Sequence, residues 1–228
     1  MICPSPHQPW GLAFLVSVPH GVVAGVHLPD DPAPVDDATL ARLLDPERAA
    51  AQGLRGYRQV QFTGGRLAVS AALAEIGARR QAVLSNAHGA PAFSDGISGS
   101  VSHKNDLAVA MVARGGLGLG IDLEDTDHER PGIAARVLTP AELAANSLLA
   151  EGRRWIDAVL RFSVKEAVYK AIHPTVERYV GFGEVEVWPG NDGVDRVEAL
   201  SADLLGFRCE ARHVWIGSRV LSTVRARR

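Results

Sequence analysis

The apolar residues of this chain come in short runs cut by turn-forming residues, and that punctuation limits the folds open to it. Leu12–Val18 and Val22–Leu28 flank Pro19-His20-Gly21, and short β-rich segments around turn residues predict the two strands of a hairpin. Leu107–Ala113 follows the turn Lys104-Asn105-Asp106, and Gly115-Gly116 then leads into Leu117–Leu123. With the alternating Ser98, Ser100 and Ser102 ahead of them, these runs predict a three-stranded block at mid-chain. No run reaches the ~18 apolar residues of a membrane helix. Leu12–Val18 also lacks a basic lead-in and a following cleavage site, so neither a signal peptide nor a transmembrane span is expected.

Helical signals lie between and after these strands. Pro29 to Asp37 reads as a loop. Leu40, Leu43 and Leu44 suggest a short helix, broken and restarted at Pro46 in a first turn. Leu67 to Ile76 has helical spacing and ends at Gly77, a residue suited to a left-handed cap. Thr139-Pro140-Ala141-Glu142 combines an N-cap hydroxyl, proline at the first helical position and glutamate at the third, which predicts a capped helix over Pro140–Ala150. Trp155 to Ile172 is a longer helix by period, ended by Pro174. Val180–Val187, Phe207–Trp215 and Arg219–Val224 read as strands. The halves 1–113 and 114–228 thus each place strands around one or two helices, and the fold class is α+β.

Composition excludes several functions. Of the 228 residues 46% are hydrophobic, and 24 Lys+Arg nearly balance 26 Asp+Glu for a net charge of −2, which is a folded chain rather than a disordered one. A nucleic-acid binder would carry a concentrated basic excess, and the short basic end Arg225, Arg227, Arg228 does not supply it. Cys3 and Cys209 have no metal or disulfide spacing, which fits a reducing cytoplasm.

Four sites carry chemistry. In Gly120-Ile121-Asp122-Leu123-Glu124, alternation along a strand points Asp122 and Glu124 the same way, and paired oxygen donors at a strand end suit Mg²⁺; a solvated acidic edge has the same sequence. On the long helix, Glu166 and Lys170 fall in the stripe of Trp155, Val159, Phe162 and Tyr169 at about 100° per residue. A surface Glu–Lys pair would contribute only about 0.2–0.5 kcal/mol, and charges intruding on a mostly apolar helix point rather to a site. Ser102-His103-Lys104 offers donors to a phosphate near such a cation. Arg58 and Arg66, placed at a helix start around Gly64-Gly65, would make an anion cradle with the backbone N–H groups. Gly116-Leu117-Gly118-Leu119-Gly120 leads into a strand instead of a helix, so it is not a dinucleotide fingerprint.

Taken in order, Arg58…Phe62…Gly65-Arg66, Gly89-Ala90-Pro91-Ala92-Phe93, Ser102-His103, Gly120-Ile121-Asp122-Leu123-Glu124 and Phe162-Ser163-Val164-Lys165-Glu166-Ala167…Lys170 resemble the 4'-phosphopantetheinyl transferases of the Sfp type, in their enterobactin-synthase-like branch. The resemblance covers roughly residues 45 to 172. It implies a pseudo-dimeric α+β monomer, with coenzyme A in the cleft between two similar halves: phosphoadenosine contacts come from 1–113, and metal ligands and the catalytic helix from 114–228. By the same resemblance Asp122, Glu124 and Glu166 are Mg²⁺ ligands, with Mn²⁺ an alternative. Coenzyme A is contacted by Arg58, Arg66, Pro91, Ser102, His103, Lys104, Lys165 and Lys170. Glu166 is a candidate base for the carrier serine, and Lys170 a candidate to stabilise or protonate the leaving group. Phe162 stands where many members have Trp.

The activity so implied is Mg²⁺-dependent transfer of phosphopantetheine from coenzyme A to a serine of an acyl or peptidyl carrier protein, releasing adenosine 3',5'-bisphosphate. The partners are carrier and coenzyme A, with no nucleic acid and no membrane. Arg136, Arg153 and Arg154 are candidates for a basic patch facing an acidic carrier, and a solvated face is the equal alternative. Siderophore, polyketide, peptide and fatty-acid carriers stay open, as do two other activities on the same residues: a Mg²⁺-dependent nucleotide pyrophosphate hydrolase and a non-catalytic coenzyme A-binding module.

Overall fold

A computed structural model describes residues 2–86, 89–116 and 118–228. The chain divides into two compact units, Ile2–Gly116 and the remainder from residue 118 onward, and it is α+β.

In the first unit the predicted hairpin forms as β1 (Leu12–Val18) and β2 (Gly21–His27). It extends through β6 (Leu107–Arg114) to β5 (Ile97–Lys104), an antiparallel sheet in the order β1-β2-β6-β5. Two short helices, α1 (Asp37–Leu40) and α2 (Asp45–Gln52), precede α3 (Tyr57–Glu75), which crosses β2 and β6. A small ladder pairs β3 (Leu84–Ser85) with β4 (Pro91–Ala92). The core beneath α3 gathers Val60, Leu67, Ala68, Ala72 and Leu73 against Ala24, Val26, Ala108 and Ala110. Each Val or Leu of this set contributes roughly 1.5–3 kcal/mol when fully buried.

The expected start of this helix at Leu67 is corrected, because α3 already runs from Tyr57 through Gly64-Gly65. Those glycines are helical because the helix lies so close to the sheet. A Cβ on Gly64 would sit 2.1 Å from Leu28 Cδ2, and one on Gly65 would sit 2.9 Å from Val101 Cγ1. The helix ends as expected at Gly77, whose φ is +62°.

The mid-chain block does not hold together as one sheet. β7 (Gly118–Asp125) leaves β5 and β6 and belongs to the second unit; the expected first residue, Leu117, lies outside the described residues. Its partner is β11 (Arg219–Arg227), in register from Asp125↔Arg219 to Gly118↔Ala226. The sheet continues through β10 (Arg208–Ile216) and β9 (Val194–Ala199) to β8 (Val185–Trp188). The expected strand over Val180–Val187 opens instead with a 3₁₀ turn at Phe182–Glu184.

The helices of this unit are α4 (Ile133–Val137), α5 (Pro140–Ser147) and α6 (Glu151–Val176). Thr139 and Glu142 make the predicted capping box of α5. α6 packs along β7 and β11. It passes through Pro174 and stops at Glu177, which takes a left-handed φ of 50°. The expected end at Pro174 is corrected, since the helix continues past it to Val176. No helix of the described residues is long and apolar enough to cross a membrane.

Candidate active site

The site begins with glycine. Along β7 the even residues Gly118, Gly120, Asp122 and Glu124 share one face, and that face meets α6. A Cβ on Gly118 would fall 2.2 Å from Ala171 O, and one on Gly120 would fall 1.8 Å from Ala167 O. Strand and helix backbones are therefore in direct contact, and the next two even residues, Asp122 and Glu124, are delivered beside Glu166 and Lys170. The glycine run thus sets the spacing between two elements rather than binding a nucleotide. The fully buried stripe of α6 is Val164, Ala167, Val168 and Ala171. Phe162 and Tyr169, expected on that stripe, are half-buried like Glu166 and Lys170.

Lys170 ties the two elements together. Its Nζ donates to Asp122 Oδ1 at 2.7 Å and to Ile121 O at 3.1 Å. Burial pushes the Glu166 carboxyl up; the negative charge of Asp122 raises it further, Lys170 opposes the rise, and Glu124 adds to it. Asp122 is buried and Glu124 half-buried, with Arg130 3.6 Å from Glu124 Oε2. Opposite Asp122 in the ladder stands Ser222, fully buried, its hydroxyl without a hydrogen-bond partner among the described residues. A cluster of hard oxygen donors whose charges oppose one another's ionisation fits Mg²⁺ or Mn²⁺.

Lys165 does not join this cluster. It is 3% exposed, and its three N–H donors are spent on Glu142 Oε2 at 2.6 Å, Phe182 O at 2.8 Å and Val137 O at 2.9 Å. Glu142 is fully buried and also accepts from the backbone N–H groups of Thr139 at 2.8 Å and Val187 at 2.7 Å. Through Glu142, Lys165 therefore fastens α5, α6 and β8 together, a position different from the phosphate contact expected of it. Sequence showed Glu142 only as a cap; nothing local signalled its buried partner. Arg130 was missed as well, since it lies in a loop with no motif. It borders a cavity of about 300 Å³ lined also by Ile133, Arg136, Phe162 and Phe182. Arg153 and Arg154 are exposed, and Arg154 donates to Leu149 O at 3.0 Å and Ser147 O at 2.8 Å, closing the turn between α5 and α6.

The other expected contacts lie in the first unit. Arg58 is exposed on the first turn of α3, whereas Arg66 is 5% exposed, its guanidinium 4.3 Å from the Phe62 ring centroid. Eight helical residues separate them by about 12 Å along the axis, so no shared cradle at a helix start forms. Burial pushes the Arg66 guanidinium down, and the charge of Glu47 opposes this. On β5, Ser102 and Lys104 share one face while His103 shares the other with Val101, toward α3. Ser102 is buried, His103 exposed, and Pro91 half-buried in β4. A groove of about 920 Å³ on this unit, bordered by Leu43, Pro46, Arg79, Arg80 and Arg114, includes none of the expected contacts.

Residues 45–113 match the 4'-phosphopantetheinyl transferase N-terminal domain, and residues 118–223 match the 4'-phosphopantetheinyl transferase superfamily. The chain belongs to that superfamily, in its Sfp-type branch. It is 34% identical over 165 residues to the 4'-phosphopantetheinyl transferase Svp of Streptomyces mobaraensis, covering 70% of this chain and 63% of that protein. Enterobactin synthase component D of Salmonella typhimurium is 30% identical over 139 residues, 57% of this chain and 54% of its own. The chain spans about six-tenths of the length of the first curated relatives it matches. The solved holo-[acyl-carrier-protein] synthase of Neisseria meningitidis overlays 49% of this chain and 98% of its own, with 23% identity and a TM-score of 0.42.

Proposed function

We propose that this chain transfers the 4'-phosphopantetheine group of coenzyme A to a serine of an acyl or peptidyl carrier protein and releases adenosine 3',5'-bisphosphate. The observation that carries the proposal is the meeting of Asp122, Glu124, Glu166 and Lys170 across β7 and α6, inside the stretch that matches the superfamily. In this reading Asp122, Glu124 and Glu166 hold Mg²⁺ or Mn²⁺, which when bound neutralises pyrophosphate charge. The reaction joins the serine Oγ to the phosphorus bearing the pantetheine arm and breaks that phosphorus's bond to the bisphosphate oxygen. The serine proton goes to Glu166, the carboxylate of this cluster that the family resemblance assigns as base; ligation of the metal by the same carboxylate competes with that role. Lys170 supplies a proton or its charge to the departing oxygen. Arg58, Arg66, Pro91, Ser102, His103 and Lys104 keep the coenzyme A contacts that the family resemblance assigns; Lys165 does not. Exposed Leu148, at the α5–α6 turn with Arg153 and Arg154, offers an apolar and basic face for an acidic carrier.

The products test this directly. Incubated with coenzyme A, Mg²⁺ and an apo carrier, the chain is expected to release adenosine 3',5'-bisphosphate, seen by liquid chromatography, only while the carrier serine is present. Release at the same rate with a serine-to-alanine carrier would make the chain a pyrophosphate hydrolase. No release with any carrier, coenzyme A still being bound, would make it a binding module.

A further inference from the structure

We propose that the first unit carries a second metal site, for Zn²⁺ or a similar transition ion, built from His7, His27 and Asp106. One ligand atom from each of the three lies within 4.8 Å of the other two. The residues come from separate parts of the chain: His7 precedes β1, His27 ends β2, and Asp106 sits in the β5–β6 turn. Backbone hydrogen bonds already hold these parts together, Trp10 N to His27 O at 2.8 Å, His27 N to Gly11 O at 2.9 Å and Leu28 N to Asp106 O at 2.7 Å.

The histidines are oriented as ligands are. His7 Nε2 lies 3.1 Å from Leu28 O, and His27 Nε2 lies 3.1 Å from Ser5 O. A carbonyl oxygen only accepts, so in each neutral ring Nε2 carries the hydrogen and Nδ1 keeps its lone pair. A backbone carbonyl holding the N–H of one ring nitrogen is the usual support for a metal bound at the other. His27 is 6% exposed, and its Nδ1 is buried with no hydrogen-bond partner among the described residues. A buried ring nitrogen left unsatisfied is unfavourable, a penalty that coordination would remove.

Two imidazoles and one carboxylate select Zn²⁺, Co²⁺ or Ni²⁺ over Mg²⁺. Tetrahedral Zn²⁺ with ligands at about 2.0–2.1 Å places them roughly 3.3 Å apart. Closing from 4.8 Å takes up to about 1.5 Å of side-chain adjustment among the three ligands. The ion would then fasten the segment before β1 to β2 and to the β5–β6 turn, independently of the carboxylate cluster of the second unit.

The test uses the full chain stripped with a chelator and held in excess Mg²⁺, so that Zn²⁺ titrated by calorimetry meets an already occupied carboxylate cluster. One equivalent of Zn²⁺ is expected. It should weaken tenfold or more in His7→Ala and in Asp106→Asn, and persist in Asp122→Asn. Co²⁺ in place of Zn²⁺ should give visible absorption bands that His7→Ala abolishes. Because His7 is exposed, His7→Ala should keep the fold, which its circular dichroism checks. Zn²⁺ uptake unchanged in His7→Ala, uptake lost only in Asp122→Asn, or no uptake by the unmodified chain would each overturn the site.

Discussion

Gly120→Ala is the sharpest perturbation of the contact that builds the candidate active site. The new Cβ would stand 1.8 Å from Ala167 O. Real Cβ atoms keep at least 3.0 Å, so β7 and α6 must part by about 1.2 Å. The obstacle is backbone on both sides, and no side chain can turn away. Overpacking of this kind costs about 1–3 kcal/mol, which for a chain of this size lowers the melting temperature by roughly 2–12 °C. The same displacement moves Asp122 and Glu124 away from Glu166, and a misplacement near 1 Å in a reacting constellation costs about 100-fold in rate. Calorimetric melting and a carrier-modification assay read the two effects together. Gly116→Ala is the control, since a Cβ there meets nothing within 4 Å, and it should stay within about 0.5 kcal/mol of the parent. Equal melting temperatures and equal rates for Gly120→Ala and the parent would refute the close-contact argument.

Three further outcomes follow from the same geometry. Lys165→Ala leaves buried Glu142 with only Arg161, its Nη1 4.0 Å from Oε1, as a cation and should destabilise the chain by up to about 3 kcal/mol in denaturant unfolding; a stable variant with only a raised KM for coenzyme A would restore the phosphate role. Mg²⁺ at about 100 times its dissociation constant should stabilise the parent by about 2.7 kcal/mol in thermal melts, a gain lost in Glu124→Gln. Arg178, bonded to Glu184 at 2.7 Å, holds that carboxyl down to about 2. The stability it lends is therefore present above the ordinary carboxylate pKa and lost as pH falls toward 2, so Arg178→Ala should lower the melting temperature at pH 6 and converge with the parent near pH 2.

Local features were legible where local physics decides them. The hairpin over residues 12–28 and the capping box at Thr139 and Glu142 formed as read, because turn chemistry and caps act over a few residues. The acidic pair Asp122 and Glu124 was legible from strand alternation, and Glu166 with Lys170 from their oddity on an apolar helix. Tertiary contacts hid the rest. Gly64-Gly65 reads as a break until Leu28 and Val101 are packed against it. β7 reads as a neighbour of β6 because its true partner, β11, lies almost a hundred residues further on. Lys165 and Lys170 look alike in sequence and differ only in what they meet, a buried Glu142 in one case and Asp122 in the other.

The central claim is that the Asp122, Glu124, Glu166 and Lys170 cluster serves transfer to a carrier, and intact mass spectrometry of an apo carrier tests it most directly. Incubated with this chain, coenzyme A and Mg²⁺, the carrier should gain the mass of one phosphopantetheine, and the gain should vanish with a chelator or in Glu166→Gln. A carrier modified equally by Glu166→Gln, or left unmodified by the parent chain across acyl and peptidyl carriers, would contradict it.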